Sequence, residues 1–298
     1  VLLTDNLVTD LVQANNQDGL QILGCRVDIF NIQWNQKETT SIKLQSESLR
    51  GALTQADLAS NKIIKTALHN LDATIPILSE ESLVEWSSRK SWNKYWLVDP
   101  LDGTKEFIKN NGEFTVNIAL IEKNSPILGV IFAPAKSLIY FAQKGYGSFT
   151  LHTSVELNSL DEATQISVLK QSDPVRIIGS RSHSNNFFTN WVNEKFPNAQ
   201  IIQAGSSLKF CLIANGDADI YPRFGPTSEW DIAAADAFLR SRGGEILKAS
   251  NFTSLEYGKP DSILNPYFFC FRNELVKQKI MPILGEFCLL YTSDAADE

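Results

Sequence analysis

The chain has 298 residues, 43% of them hydrophobic and 20% charged, a balance that predicts a packed globule of one large domain or two smaller ones. Its net charge of -7 argues against a general binder of nucleic-acid polymers or membrane surfaces. No apolar run approaches the ~20 residues of a membrane span.

Cys25, Cys211, Cys270 and Cys288 are far apart in sequence, which suits reduced cytoplasmic thiols better than a disulfide framework or a zinc site. His69, His152 and His183 are too scattered for a histidine-rich centre. A metal here would be held by oxygen and be Mg²⁺-like.

In chain order, Leu7, Val8, Leu11 and Val12 suggest a helix that Gly19 and Gly24 interrupt. Ile63, Ile64, Ala67, Leu68 and Leu71 repeat at helical spacing and predict a helix over 56–71, with Thr54 and Asp57 as capping residues. Residues 75–78 read as a short strand ending at Ser79-Glu80-Glu81. Short apolar runs at 95–98, 114–121, 127–132 and 138–142, separated by Gly, Pro, Asn and Lys, predict neighbouring antiparallel strands, and Gly145-Tyr146-Gly147 a further hairpin turn. Strands at 175–178, 201–204, 218–221 and 267–271 then alternate with helices at 185–196, 207–214 and 232–239. The fold class is therefore α/β, with an α+β half over 1–155 and an α/β half over 156–273. Residues 274–298 read as a tail without a core to join, non-native or disordered.

Chemistry concentrates in Leu97-Val98-Asp99-Pro100-Leu101-Asp102-Gly103-Thr104. An apolar strand delivers two acids into a turn with a glycine and a hydroxyl. Each acid has an ordinary reading: Asp99 and Asp102 as turn formers, Glu80 and Glu81 as a solvated loop, Asp57 and Asp231 as helix caps. Like carboxylates brought together repel unless a cation neutralises them. Several oxygens with water and phosphate would satisfy an octahedral Mg²⁺.

Glu80-Glu81, the run from Trp96 to Phe107, and Trp230-Asp231-Ile232-Ala233-Ala234 resemble the three metal motifs of the inositol monophosphatase superfamily. Three longer segments, 111–121, Gly205-Ser206-Ser207-Leu208-Lys209-Phe210-Cys211 and Tyr221-Pro222-Arg223-Phe224-Gly225-Pro226-Thr227, resemble its 3'(2'),5'-bisphosphate nucleotidase family, of the bacterial CysQ type. The likeness runs from about Leu53 to Arg272.

The resemblance implies a layered αβαβα sandwich and two or three Mg²⁺ ions. Glu80, Asp99 and the Leu101 carbonyl would hold the first ion, and Asp99, Asp102 and Asp231 the second. Thr104 paired with Asp57 would activate water, and the Gly103 and Thr104 amides would cradle the phosphate. His183, Ser206, Lys209 and Arg223 fall where nucleotidases contact their small-molecule nucleotide. Taken alone, Lys209 and Arg223 read as surface charge and His183 as a structural histidine.

The activity implied is Mg²⁺-dependent removal of the 3'-phosphate of adenosine 3',5'-bisphosphate, with Li⁺ sensitivity and a role in clearing a by-product of sulfate assimilation. The alternatives are an inositol phosphate substrate or a catalytically dead, ligand-binding relative. Two departures stand out. Ala235 occupies a position usually glycine, so its methyl either crowds the site or is absorbed by repacking. Leu49-Arg50-Gly51-Ala52 replaces a Ser-Pro pair and a basic loop.

Overall fold

A computed structural model describes residues 55–152, 163–166, 173–181, 186–260 and 262–285. The N-terminal helix expected around Leu7, the segment before Thr54 and Thr54 itself lie outside them. Helix α1 (Gln55–Leu71) leads into β1 (Ile77–Ser79), the one-turn α2 (Trp86–Arg89), β2 (Lys94–Asp102), the short α3 (Thr104–Ile108), β3 (Thr115–Glu122), β4 (Ser125–Ala133), β5 (Leu138–Gln143), β6 (Gly147–His152) and β7 (Thr164–Gln165). These strands form one seven-stranded sheet in sequence order. β1 and β2 are parallel, and the later neighbours are antiparallel.

The second half supplies β8 (Arg176–Ser180), α4 (Asn186–Lys195), β9 (Gln200–Ala204), α5 (Leu208–Asn215), β10 (Ile220–Arg223), α6 (Glu229–Arg240), β11 (Glu245–Lys248), β12 (Phe268–Phe271) and α7 (Glu274–Leu284). Its five-stranded sheet has the order β11-β12-β10-β8-β9. β8 pairs in parallel with both β9 and β10.

Strand alternation sorts side chains into layers. In β2, Trp96 and Val98 pack with Ile64 and Leu68 of α1. Tyr95 and Leu97 point the other way, into a core shared with α5, α6 and the second sheet. In that second sheet Ile178, Tyr221, Phe268 and Cys270 face this central core. Ile177, Ile220, Phe269 and Phe271 face α4 and α7. The stack is α1, sheet, α5 with α6, sheet, α4 with α7, the layered αβαβα sandwich expected.

Helix α6 is buried all round, as a helix between two sheets must be; from Ile232 to Leu239 every residue is buried. Residues 274–284, expected to be part of a structureless tail, instead form α7, and Val276, Ile280 and Leu284 close the outer core. Their spacing of four residues puts them on one helix face. Asn273 caps the helix, accepting a hydrogen bond from the Val276 N–H at 2.9 Å. Residues 286–298 lie outside the described ones. Among the described residues, no helix is long and apolar enough to cross a membrane.

Candidate active site

The acid-bearing run does not turn where the sequence suggests. Strand β2 continues through Pro100 to Asp102, and the turn comes at Gly103 (φ 86). Simple alternation would place Asp99 and Asp102 on opposite faces. A bulge prevents this: Asp99 lies opposite Asn117 and Asp102 opposite Thr115. Three steps along β2 match two along β3, so both acids join Asn117 and Thr115 on the face toward α5 and α6.

Glu80 leaves β1 beside them, donating its N–H to the Val98 carbonyl at 3.1 Å, close enough to Asp99 for its charge to raise that acid's pKa. Asp231 arrives in the first turn of α6, where its Oδ2 accepts the Ser228 N–H at 2.8 Å. This is the capping bond of the ordinary reading, at the third helical residue instead of the cap itself.

The four carboxylates repel one another electrostatically. Burial raises Asp99 well above the carboxylate range, with Glu80, Asp102 and Asp231 adding to it. Burial, then Asp231, Glu81 and Asp102, push Glu80 up to about 8. Burial and then Asp102 push Asp231 up to about 7. Such a set of hard oxygen donors, Asp99 buried and the other three half-buried, mutually repelling, fits a Mg²⁺-like cation, which would offset both burial and repulsion.

Among the described residues no three His, Cys, Asp or Glu side chains are gathered into a ready ligating group. Several of the oxygens are instead turned to the chain's own donors. Asp99 Oδ1 accepts the Leu101 N–H at 3.0 Å. Asp102 Oδ2 accepts from Ser206 Oγ at 2.7 Å and from Ser207 Oγ at 2.9 Å.

Asp57 is buried, and the Thr104 hydroxyl lies 3.4 Å from both its Oδ1 and the Leu101 carbonyl. A cavity of about 230 Å³ opens beside Asp102 and Asp231, floored by Gly103 and Thr104 and walled by Lys209 and Arg223. The Lys209 ammonium is buried 5.7 Å from the centre of the Tyr221 ring. Burial lowers its pKa to about 8; Arg223 adds to this, while Asp102 and Glu106 oppose it. His183 lies outside the described residues. Of the other expected site residues, Ser206 also lines the cavity, and Asp57, Leu101, Glu80 and Asp99 lie behind it in contact or electrostatic reach of Thr104, Asp102 and Asp231.

Three polar residues went unnoticed individually in the sequence. Ser207 donates to Asp102 and also lies 2.9 Å from the Asp231 carbonyl. Asn117 donates to the Ser207 hydroxyl at 2.9 Å, and Thr115 Oγ1 lies 2.7 Å from Ser206 Oγ. The signal for two of them is a pair of polar residues two apart at the start of an otherwise apolar strand, Thr115 and Asn117 in Thr-Val-Asn-Ile-Ala.

Residues 11–275 match the model of the inositol monophosphatase family, a match that begins well upstream of Leu53. The chain is 44% identical to the 3'(2'),5'-bisphosphate nucleotidase CysQ of Salmonella typhimurium over 216 residues, 72% of this chain and 83% of that protein. The crystal structure of CysQ from Bacteroides thetaiotaomicron superposes with a TM-score of 0.72 at 33% identity, covering 92% of this chain and 99% of that one. An inositol monophosphatase/NADP phosphatase solved with Mg²⁺ and phosphate shares the fold, with a TM-score of 0.68 at 16% identity, covering 88% and 92% of the two chains.

Proposed function

The chain belongs to the inositol monophosphatase family, and from that premise we propose that it is a Mg²⁺-dependent 3'(2'),5'-bisphosphate nucleotidase, hydrolysing adenosine 3',5'-bisphosphate to AMP and phosphate. The observation that carries this reading is the mutual proximity of Glu80, Asp99, Asp102 and Asp231 beside a cavity that Asp102 and Asp231 line together with Lys209 and Arg223. One phosphate sits at the acids, and a second needs cations away from them.

Glu80, Asp99 and the Leu101 carbonyl would hold one Mg²⁺, and Asp99, Asp102 and Asp231 another. Bound there, the ions would lower the pKa of the attacking water and stabilise the leaving alkoxide. The chain's residues do the rest. Thr104 orients the water and passes its proton toward Asp57. The amides of Gly103 and Thr104, at the start of α3, hold the phosphate oxygens. Ser206 keeps Asp102 in place. Lys209 and Arg223 bind the second phosphate, the arginine through a planar fork. Water oxygen bonds to phosphorus, the bond from phosphorus to the ribose 3'-oxygen breaks, and that oxygen takes a proton from a solvent water while Asp57 gives its own back to solvent. On this reading the enzyme works in the cytoplasm, clears a by-product of sulfate assimilation and is inhibited by Li⁺.

The test is phosphate release from adenosine 3',5'-bisphosphate and from inositol 1-phosphate, with and without Mg²⁺. Preference for the nucleotide, dependent on Mg²⁺, is expected. Preference for the inositol ester overturns the substrate, and no release from either ester overturns the enzyme.

A further inference from the structure

We propose that Glu113 is a positioning residue: it sets the turn of residues 205–207 against Asp102, and Arg181 is its counter-ion instead of a cation for substrate. The inference rests on the proposed reading of the site, because the acid it positions is one of the expected Mg²⁺ ligands.

Three N–H donors converge on the Glu113 carboxylate. Arg181 Nε donates to Oε2 at 2.6 Å and Nη2 to Oε1 at 2.9 Å. The Gly205 N–H donates to Oε2 at 2.9 Å. The arginine fork is thus filled by one carboxylate in bidentate geometry, and Nη2 also donates to the Gln203 carbonyl at 2.9 Å. That leaves Arg181, at the end of β8 near the cavity, a poor candidate for gripping phosphate.

What Glu113 holds matters more. Gly205 is wedged: a Cβ there would stand 2.8 Å from Glu106 Cγ and 3.1 Å from Glu113 Cβ. The next residue, Ser206, has φ 50, a left-handed conformation that a side-chain-bearing residue keeps only when its surroundings impose it. That conformation brings Ser206 Oγ to 2.7 Å from Asp102 Oδ2, and Ser207 Oγ to 2.9 Å from the same oxygen. Glu113 lies between α3 and β3 of the first sheet, whereas Arg181 and Gly205 follow β8 and β9 of the second. The contact therefore joins the two sheets at the cavity and fixes the hydroxyls that aim Asp102.

The test compares Glu113→Ala, Glu113→Gln and Arg181→Met in four measurements: kcat and KM for the bisphosphate nucleotide, Mg²⁺ binding by calorimetry without substrate, amide hydrogen exchange over residues 204–208, and Tm. Losing an outer partner of a metal ligand typically weakens metal binding or activity ~10- to 100-fold. Glu113 acts one contact further out, through Gly205, so Glu113→Ala is expected to lower kcat and Mg²⁺ affinity toward the ~tenfold end of that range, speed exchange over 204–208, and leave KM within a few-fold. Glu113→Gln keeps an acceptor for Gly205 and falls between, and it carries the test should the alanine variant not fold. Arg181→Met should match Glu113→Gln, and the double variant should be no worse, since both remove one interaction.

Unchanged Mg²⁺ affinity and exchange in folded Glu113→Gln and Glu113→Ala would overturn the proposal. So would Arg181→Met raising KM tenfold with kcat and Mg²⁺ affinity intact. If the wild type releases no phosphate from the nucleotide, the functional reading fails, while Mg²⁺ binding and hydrogen exchange still decide this one.

Discussion

Gly129 of β4 touches Ala234 of α6 backbone to backbone: a Cβ added to Gly129 would lie 2.2 Å from the Ala234 carbonyl oxygen. The helix that carries Asp231 can approach the first sheet only because that strand position has no side chain. Gly129→Ala should therefore push α6 away. Overpacking of this kind costs about 1–3 kcal/mol or more, and here it also moves Asp231. Thermal denaturation should show a fall of several degrees, with Mg²⁺-dependent activity falling further than stability accounts for. A variant with wild-type Tm and kcat would remove the packing argument.

Ala235, one residue past that contact, is fully buried in the central core. Most of the layering was legible because β2 to β5 are short continuous apolar runs, as strands covered on both faces are, and apolar residues recur at helical period in α1. The Asp99–Asp102 relation was legible only as a turn. Pro100 and Gly103 are turn formers locally, but pairing with β3 carries the strand through Pro100 and inserts a bulge, a tertiary effect that local propensity does not encode. Helix α7 was missed because Pro282 and Gly285 break its pattern, although Val276 and Ile280 mark one face. Glu113 could be read as a motif member, but its partners Arg181 and Gly205 are 68 and 92 residues away, beyond any spacing argument.

Asp99→Asn is expected to separate stability from activity. Asp99 is buried beside Glu80, Asp102 and Asp231, which all raise it. Removing its charge eases that repulsion, so the metal-free variant should melt no lower than the wild type at neutral pH. Mg²⁺-dependent phosphate release should fall at least ~100-fold, because this acid is the expected bridge between two ions. Substantial activity in a folded variant would displace Asp99 from the centre of the site.

The pH dependence of the metal-free protein follows from Glu80 and Asp231. Burial and neighbouring acids raise Glu80 from 4.5 to about 8 and Asp231 from 3.8 to about 7. Between the unfolded and folded values the native state binds more protons than the unfolded chain, so stability falls as pH rises. The decline should run from about pH 5 to 8 and flatten above it. Mg²⁺ competes with those protons, so its stabilisation should grow over the same window. Melting curves with EDTA or Mg²⁺, for wild type and Glu80→Gln, check this. A metal-free Tm that rises toward pH 8 contradicts it.

Lys209 should make substrate affinity pH-sensitive in the opposite region. Burial lowers its pKa from 10.5 to about 8, so the charge proposed to meet a phosphate is lost above that value. A phosphate favours the protonated form and partly restores it. KM for the bisphosphate nucleotide is expected to be flat from pH 6.5 to about 8 and then to climb, toward tenfold per pH unit. Lys209→Met should raise KM by about 10- to 100-fold, the range of a hydrogen bond to a charged group, and abolish the climb. Its effect should be far smaller on a substrate with a single phosphate, which needs only the acid side of the cavity. Equal losses on one- and two-phosphate substrates would instead assign Lys209 to holding Asp102 and Asp231, the acids that raise its pKa against burial.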